Sequence, residues 1–281
     1  MSVAKISLRR VRKEFDVRGD DGPSHRFVAL EDITFDVRPG EFLTLVGPSG
    51  CGKSTLLDLL GGLTAPTDGK ILLDGEPVVG PGRDRGIVFQ QYALFPWRTA
   101  AQNIEFGLEV AGVGVRERRE RALHYLDLVN LSAFASRYPQ ELSGGMKQRV
   151  AIARSLAYEP QVLLMDEPFA ALDAQTRESL QVELLRIWHS TGKTIVFITH
   201  GIDEAIVLGQ RVAVMTARPG RIKQVFDIPE ALHNEADDVR SLPLFGEVRH
   251  EIWTLLREEV SNTQQTRSSR AHRADKEPAH V

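Results

Sequence analysis

The most restrictive stretch of the chain is Gly47–Thr55, GPSGCGKST. The apolar run EFLTLVG leads straight into it, and LLDLLGGL follows. A glycine loop between a buried strand and a helix is the setting that a phosphate-binding loop requires. Gly47, Gly50 and Gly52 allow backbone N–H groups to turn inward without Cβ clashes, and the helix start adds the positive end of its dipole. Pro48, Ser49, Cys51 and Thr55 complete the cradle. Lys53 is placed to neutralise the β- and γ-phosphates of a nucleotide, and the Ser54 hydroxyl to ligate Mg²⁺.

Three further runs, RGIVFQ, QVLLMDE and KTIVFITH, are as apolar as the first. Such runs suit strands buried on both faces, as in a parallel sheet covered by helices. KISLRRV and ALEDITFDV instead alternate apolar and polar residues, with turn chemistry in RGDDGPSH between them. The expected fold is therefore α/β: a P-loop NTPase with a RecA-like parallel-sheet core, an N-terminal antiparallel β subdomain and a helical insert subdomain. RERRERALHYLDLVNL sets Ala122, Tyr125, Leu126 and Leu128 on one stripe, inside an insert expected over about residues 91–150. Residues 1–230 hold this domain. GEVRHEIWTLLREEV aligns Val248, Ile252 and Leu255 in a helical extension over 231–260, and the polar stretch 261–281 reads as a disordered tail.

Lys and Arg number 35 against 38 acidic residues, a net charge of -3 that leaves no electrostatic footprint for nucleic acid. A single cysteine, Cys51, permits no internal disulfide and fits a reducing compartment. No run reaches the roughly eighteen apolar residues of a membrane-spanning helix. The N-terminus lacks the apolar core of a signal peptide. The expectation is a cytoplasmic chain that docks on something that spans.

VLLMDEP ends a strand in Asp166 and Glu167. Neighbouring side chains on a strand point to opposite sides, so the two acids can take different roles. Asp166 suits the Mg²⁺ shell, and Glu167 suits a water in line with the γ-phosphate. His200 ends the next apolar run, and ligand sites of parallel sheets gather at such strand ends. Gln90 closes IVFQ in the same way and could meet Mg²⁺ or the attacking water.

A second glycine turn, LSGGMKQRV, leads into a helix expected to start just after Gly145, with Met146, Val150, Ala153 and Ala157 on one face. Ser143 and the N–H groups of Gly144 and Gly145 form another anion site at its N-terminus. The chain has one phosphate loop and one set of magnesium carboxylates. A second anion site makes sense if it closes over a nucleotide held by another subunit.

LSGGMKQRV resembles the signature of the ATP-binding cassette (ABC) family, whose motifs appear in order over residues 3–230. The resemblance implies a head-to-tail homodimer around two ATP molecules, with Ser143 and Gly145 on the γ-phosphate held by the partner's loop. It makes Gln90 the Q-loop glutamine, His200 the switch histidine, Asp173 of ALDAQTR the D-loop aspartate and Phe15 of VRKEF the aromatic that stacks on adenine. Gly201 departs from the aspartate usual after the switch histidine, with a small effect expected on that turn. Phe95, Pro96 and Trp97 lie where the family receives a coupling helix from its membrane subunit.

GPGRDRGIVFQ, LFPW and MTARPGRI resemble the nitrate, sulfonate and taurine importer group. That implies an ATPase peripheral to the cytoplasmic face of the membrane, serving integral-membrane permease subunits and, indirectly, a periplasmic or extracellular solute-binding protein. The alternative is a soluble single-cassette ATPase such as one for iron–sulfur cluster assembly. Chromosome and repair ATPases fit poorly, because Thr55–Leu142 holds neither sustained heptads nor cysteines. Cys51 inside the loop leads to one more expectation: thiol alkylation should block ATP binding, and ATP should protect.

Overall fold

The structure, a computed structural model, describes residues 4–17, 25–233 and 239–274. Strands β1 (Ile6–Val17) and β2 (His25–Val37) pair antiparallel. The buried side chains Ile6, Leu8 and Val11 break strict alternation, and a register shift between Leu8 and Val11 returns Val11 to the inner face. The expected strands are thus present, each longer than its alternating segment. The turn stretch between them falls largely outside the described residues.

The chain then forms β3 (Phe42–Val46), α1 (Lys53–Gly61), β4 (Asp68–Leu73), β5 (Glu76–Pro77) and β6 (Arg85–Val88). Helices α2 (Ala100–Val110), α3 (Val115–Leu128) and α4 (Gly144–Leu156) follow, and then β7 (Val162–Asp166), α5 (Ala174–Thr191) and β8 (Thr194–Ile198). Helix α6 (Ile202–Leu208), β9 (Arg211–Met215), β10 (Ile222–Asp227) and α7 (Pro243–Ala274) complete the described chain.

Among the described residues, one sheet has the order β2-β1-β4-β5 and is antiparallel, and the other has the order β10-β9-β3-β8-β7-β6. The second is parallel except for β10, which turns back on β9. Period-2 geometry explains why its strands read as unbroken apolar runs. Leu43, Leu45, Val162, Leu164, Val196 and Ile198 pack toward the antiparallel sheet and α1. Their neighbours Leu163, Met165, Ile195 and Phe197 pack on the other face with Ile104, Leu126, Val150 and Leu184. Each strand feeds two cores at once.

In α3, Ala122 and Leu126 are buried while Tyr125 and Leu128 pack partly against the same core. On α7, Ile252 is buried against α6 and β9, flanked by the partly covered Val248 and Leu255. The reading of 261–281 as disordered needs correction, since helix continues to Ala274 and only residues 275–281 lie outside the described ones. The missing large apolar groups argued against packing. Helix, once started from a packed segment, needs only propagation, and no Gly or Pro interrupts 247–274.

Candidate active site

The parallel order places the carboxyl ends of β3, β8, β7 and β6 side by side. β3 runs into the phosphate loop, β8 toward His200, β7 into Asp166 and Glu167, and β6 into the exposed bend that holds Gln90. The topology thus brings all four elements to one edge, where open α/β sheets bind ligands.

In the loop, Gly50 and Gly52 hold φ of 73° and 103°, the left-handed region that favours glycine. Gly52 also lacks room, since a Cβ there would stand 2.7 Å from the Leu30 side chain. Helix α1 begins at Lys53 with no side-chain cap, so its first N–H groups face the loop. The Lys53 ammonium donates to the Gly47 and Pro48 carbonyls at 2.9 and 3.3 Å, folded over the cradle its charge serves. Cys51 corrects an expectation. Its thiol is 1% exposed and packs in the core, and burial pushes its pKa up. Such a thiol resists alkylation. Cys51 does not line the cleft beside the loop.

Asp166 is half-buried at the end of β7. Desolvation raises its pKa, while a hydrogen bond with Ser54 draws it down. A hydroxyl and a carboxylate in contact at the loop form a hard-oxygen pair, the donor chemistry Mg²⁺ prefers. Glu167 turns away from the strand at φ 44°, its N–H bonded to the Ile198 carbonyl at 3.0 Å. Its Oε2 lies 3.3 Å from His200 Nδ1. The histidine's strand end is tied down by residues that sequence reading passed over. The Thr199 hydroxyl donates to Glu204, which also accepts from Gln181 Nε2 at 3.0 Å, and Gly201 N–H donates to Thr199 Oγ1 at 2.9 Å. Gly201 caps α6 without a side-chain bond.

A cleft of about 290 Å³ is lined by Ser49, Gly50, Gly52–Thr55, Glu167, Phe15, Phe27, Ala29 and Arg218. Phe15 therefore stands beside the loop. Phe27 is its direct cross-strand partner, and Arg218 arrives from the β9–β10 turn. Neither was legible in the sequence.

The second glycine turn is built otherwise. Ser143 is the N-cap of α4, its hydroxyl accepting from Met146 N–H at 3.3 Å. The helix starts at Gly144, two residues earlier than expected, because a capping serine fixes the start directly after itself. Gly145 fits against α5, where a Cβ would meet Thr176 Cγ2 at 2.6 Å. None of Ser143, Gly144 and Gly145 lines the phosphate-loop cleft. Asp173 caps α5, accepting from Thr176 N–H at 3.0 Å, and this bond lowers its pKa.

A family model described as ABC transporter matches residues 30–170, which span both glycine turns and the Asp166–Glu167 pair. The chain belongs to the ABC transporter family. It is an ATP-binding subunit and ATPase of that family. Over 235 residues it is 51% identical to a nitrate import ATP-binding protein of Synechocystis sp., covering 82% of this chain and 88% of that one. A taurine import ATP-binding protein of Jannaschia sp. is 44% identical over 266 residues, covering 92% and 98%. Among solved structures, a dimeric ATP-binding cassette in a post-hydrolysis state with ADP and Pi matches with TM-score 0.70 and 35% identity. That match covers 80% of this chain and 99% of the other. Among the described residues no helix is long and apolar enough to cross a membrane.

Proposed function

We propose that two copies of this ABC subunit close head to tail on ATP and couple its hydrolysis to import of a small solute of the nitrate, sulfonate or taurine kind. The observation carrying this reading is the split site: a phosphate cleft lined by Lys53 and Glu167, with Asp166 bonded to its Ser54, and a capped helix N-terminus that the same cleft does not use. In the dimer, Lys53 and the loop N–H groups hold the phosphates, and Phe15 stacks on the adenine. Ser54, Asp166 and Gln90 would hold Mg²⁺, which when bound neutralises phosphate charge. Glu167 orients the attacking water, and His200, 3.3 Å from its carboxylate, holds that carboxylate and faces the γ-phosphate. Ser143, Gly144 and Gly145 of the second copy cover the γ-phosphate with the positive end of α4, and Asp173 communicates across the interface.

The membrane partner would dock on the block after Gln90. Asn103, fully buried, donates to the Arg98 and Thr99 carbonyls and accepts from Phe95 N–H at 2.8 Å, which braces this loop. Trp97 is left 70% exposed on it, an anchor of the kind interfaces favour. Docked there, the ATPase sits peripherally on the cytoplasmic face of the membrane, and a solute-binding protein acts on it only through the permease. The names of the nitrate and taurine relatives support the importer reading over an iron–sulfur assembly ATPase. Glu167→Gln tests the mechanism. Turnover should fall about 10²- to 10³-fold with ATP affinity kept, and the ATP-bound variant should elute as a dimer. Undiminished turnover would remove Glu167 from its role.

A further inference from the structure

The turn between β9 and β10, Thr216–Arg221, touches the phosphate loop from outside the motif that defines it. Gly220 packs so closely that a Cβ there would stand 2.1 Å from the Cys51 carbonyl oxygen. Its N–H donates to the Ala29 carbonyl and its own carbonyl accepts from Glu31 N–H, both at 2.9 Å, which zips the turn to β2. Thr216 Oγ1 accepts from Arg221 N–H and donates to the Pro219 carbonyl across the turn, at 2.9 and 3.0 Å. From the third side, Glu259 on α7 accepts from Ala217 N–H at 2.9 Å. A turn held from three directions presents Arg218 in one place.

That place is the mouth of the nucleotide cleft. Arg218 Nε donates to the Gly50 carbonyl at 2.6 Å, and the guanidinium lies 5.0 Å from the Phe27 ring centroid. Phe27 is the cross-strand partner of Phe15, so both rings and the guanidinium line the same cleft as Lys53. One side chain thus touches both ends of the pocket: the loop that takes phosphates and the aromatic pair that takes the base.

We propose that Arg218 is a binding and positioning residue of the nucleotide pocket, pinning the phosphate loop at Gly50 and, over Phe27, walling the base end. The inference rests on the reading of this cleft as the ATP site. Two physical effects follow. The guanidinium adds fixed positive charge where a polyanion enters, and its stacking on Phe27 ties the shape of the loop to occupation of the aromatic end. Lysine cannot replace it, because a point charge neither stacks nor presents the flat Nε edge to a carbonyl.

The test is a set of affinities for ATP and for inorganic tripolyphosphate, which has no base, with a thermal melt of each variant. Arg218→Ala should weaken ATP about tenfold and tripolyphosphate about two- to threefold, with the melting temperature nearly unchanged. Arg218→Lys should recover only part of the loss. Phe27→Leu should also weaken ATP, and the double variant should lose less than the product of the single losses. Unchanged ATP affinity in Arg218→Ala would overturn the proposal and leave the arginine a structural brace. Equal losses for ATP and tripolyphosphate, with Phe27 additive, would overturn it as well. A wild-type chain that binds tripolyphosphate but shows no preference for ATP would instead count against the cleft as a nucleotide site.

Discussion

Two glycine turns precede helices in this chain, and each needs its glycines for a different reason. In the phosphate loop the demand is conformational, with Gly50 and Gly52 in the left-handed region. At the start of α4 neither Gly144 nor Gly145 has a positive φ, and the demand is for space against Tyr92 and Thr176. The first turn is walled by β1, β2 and the β9–β10 turn and carries Lys53, with Asp166 and Glu167 at hand. The second has a serine cap and a helix dipole but no lysine or carboxylate of its own in the cleft it would serve. A helix N-terminus supplies partial charge only. Phosphoryl transfer also needs a cation and a positioned water. On the proposed function, the contrast is that between a whole binding site and half of a catalytic one.

Removing the full charge from the first turn should have the larger effect on binding. Lys53→Ala should weaken ATP roughly 10- to 100-fold in a nucleotide titration, because charge-assisted hydrogen bonds to phosphate are lost. Ser143→Ala should sharpen the contrast from the other side: ATP binding to the monomer stays, while turnover falls about tenfold. The lost cap should also cost about 1 kcal/mol of stability in a denaturant melt. Weakened monomer binding in Ser143→Ala would merge the two turns into one site and break the distinction. The smallest effect is at Gly201, which caps α6 without a side chain. A Cβ there meets nothing closer than Glu204 Cβ at 3.5 Å, so aspartate fits. Gly201→Asp should raise stability by a few tenths of a kcal/mol, read as a small increase in melting temperature.

Which parts of this were legible in the sequence follows from how local each constraint is. β3, β6, β7 and β8 declared themselves because burial on both faces leaves no polar alternation. The phosphate loop did so because a backbone turn before a helix is written in adjacent residues. β4 and β5 were passed over: Ile71 and Leu73 alone are buried in β4, a pattern too short to stand out beside its glycines. Ser143 suits an anion ligand and a helix cap alike, and only its role as the cap sets the helix start at Gly144, two residues before the expected one. Cys51 looked reactive from its motif because depth in the core is not a local property. Phe27 and Arg218 were invisible for a related reason. Their positions depend on a strand register that shifts three times between Leu8 and Glu14, and on a turn some 170 residues from the loop it touches.

If the second turn completes the first only across a dimer, turnover must depend on encounter between chains. The decisive measurement is the ATPase rate per chain at saturating ATP and Mg²⁺ across a dilution series. A rate per chain that falls steadily as dimers separate, and is lost at low concentration, is the predicted result. A rate that stays constant at every dilution and is untouched by Ser143→Ala would show that one chain holds the whole catalytic site.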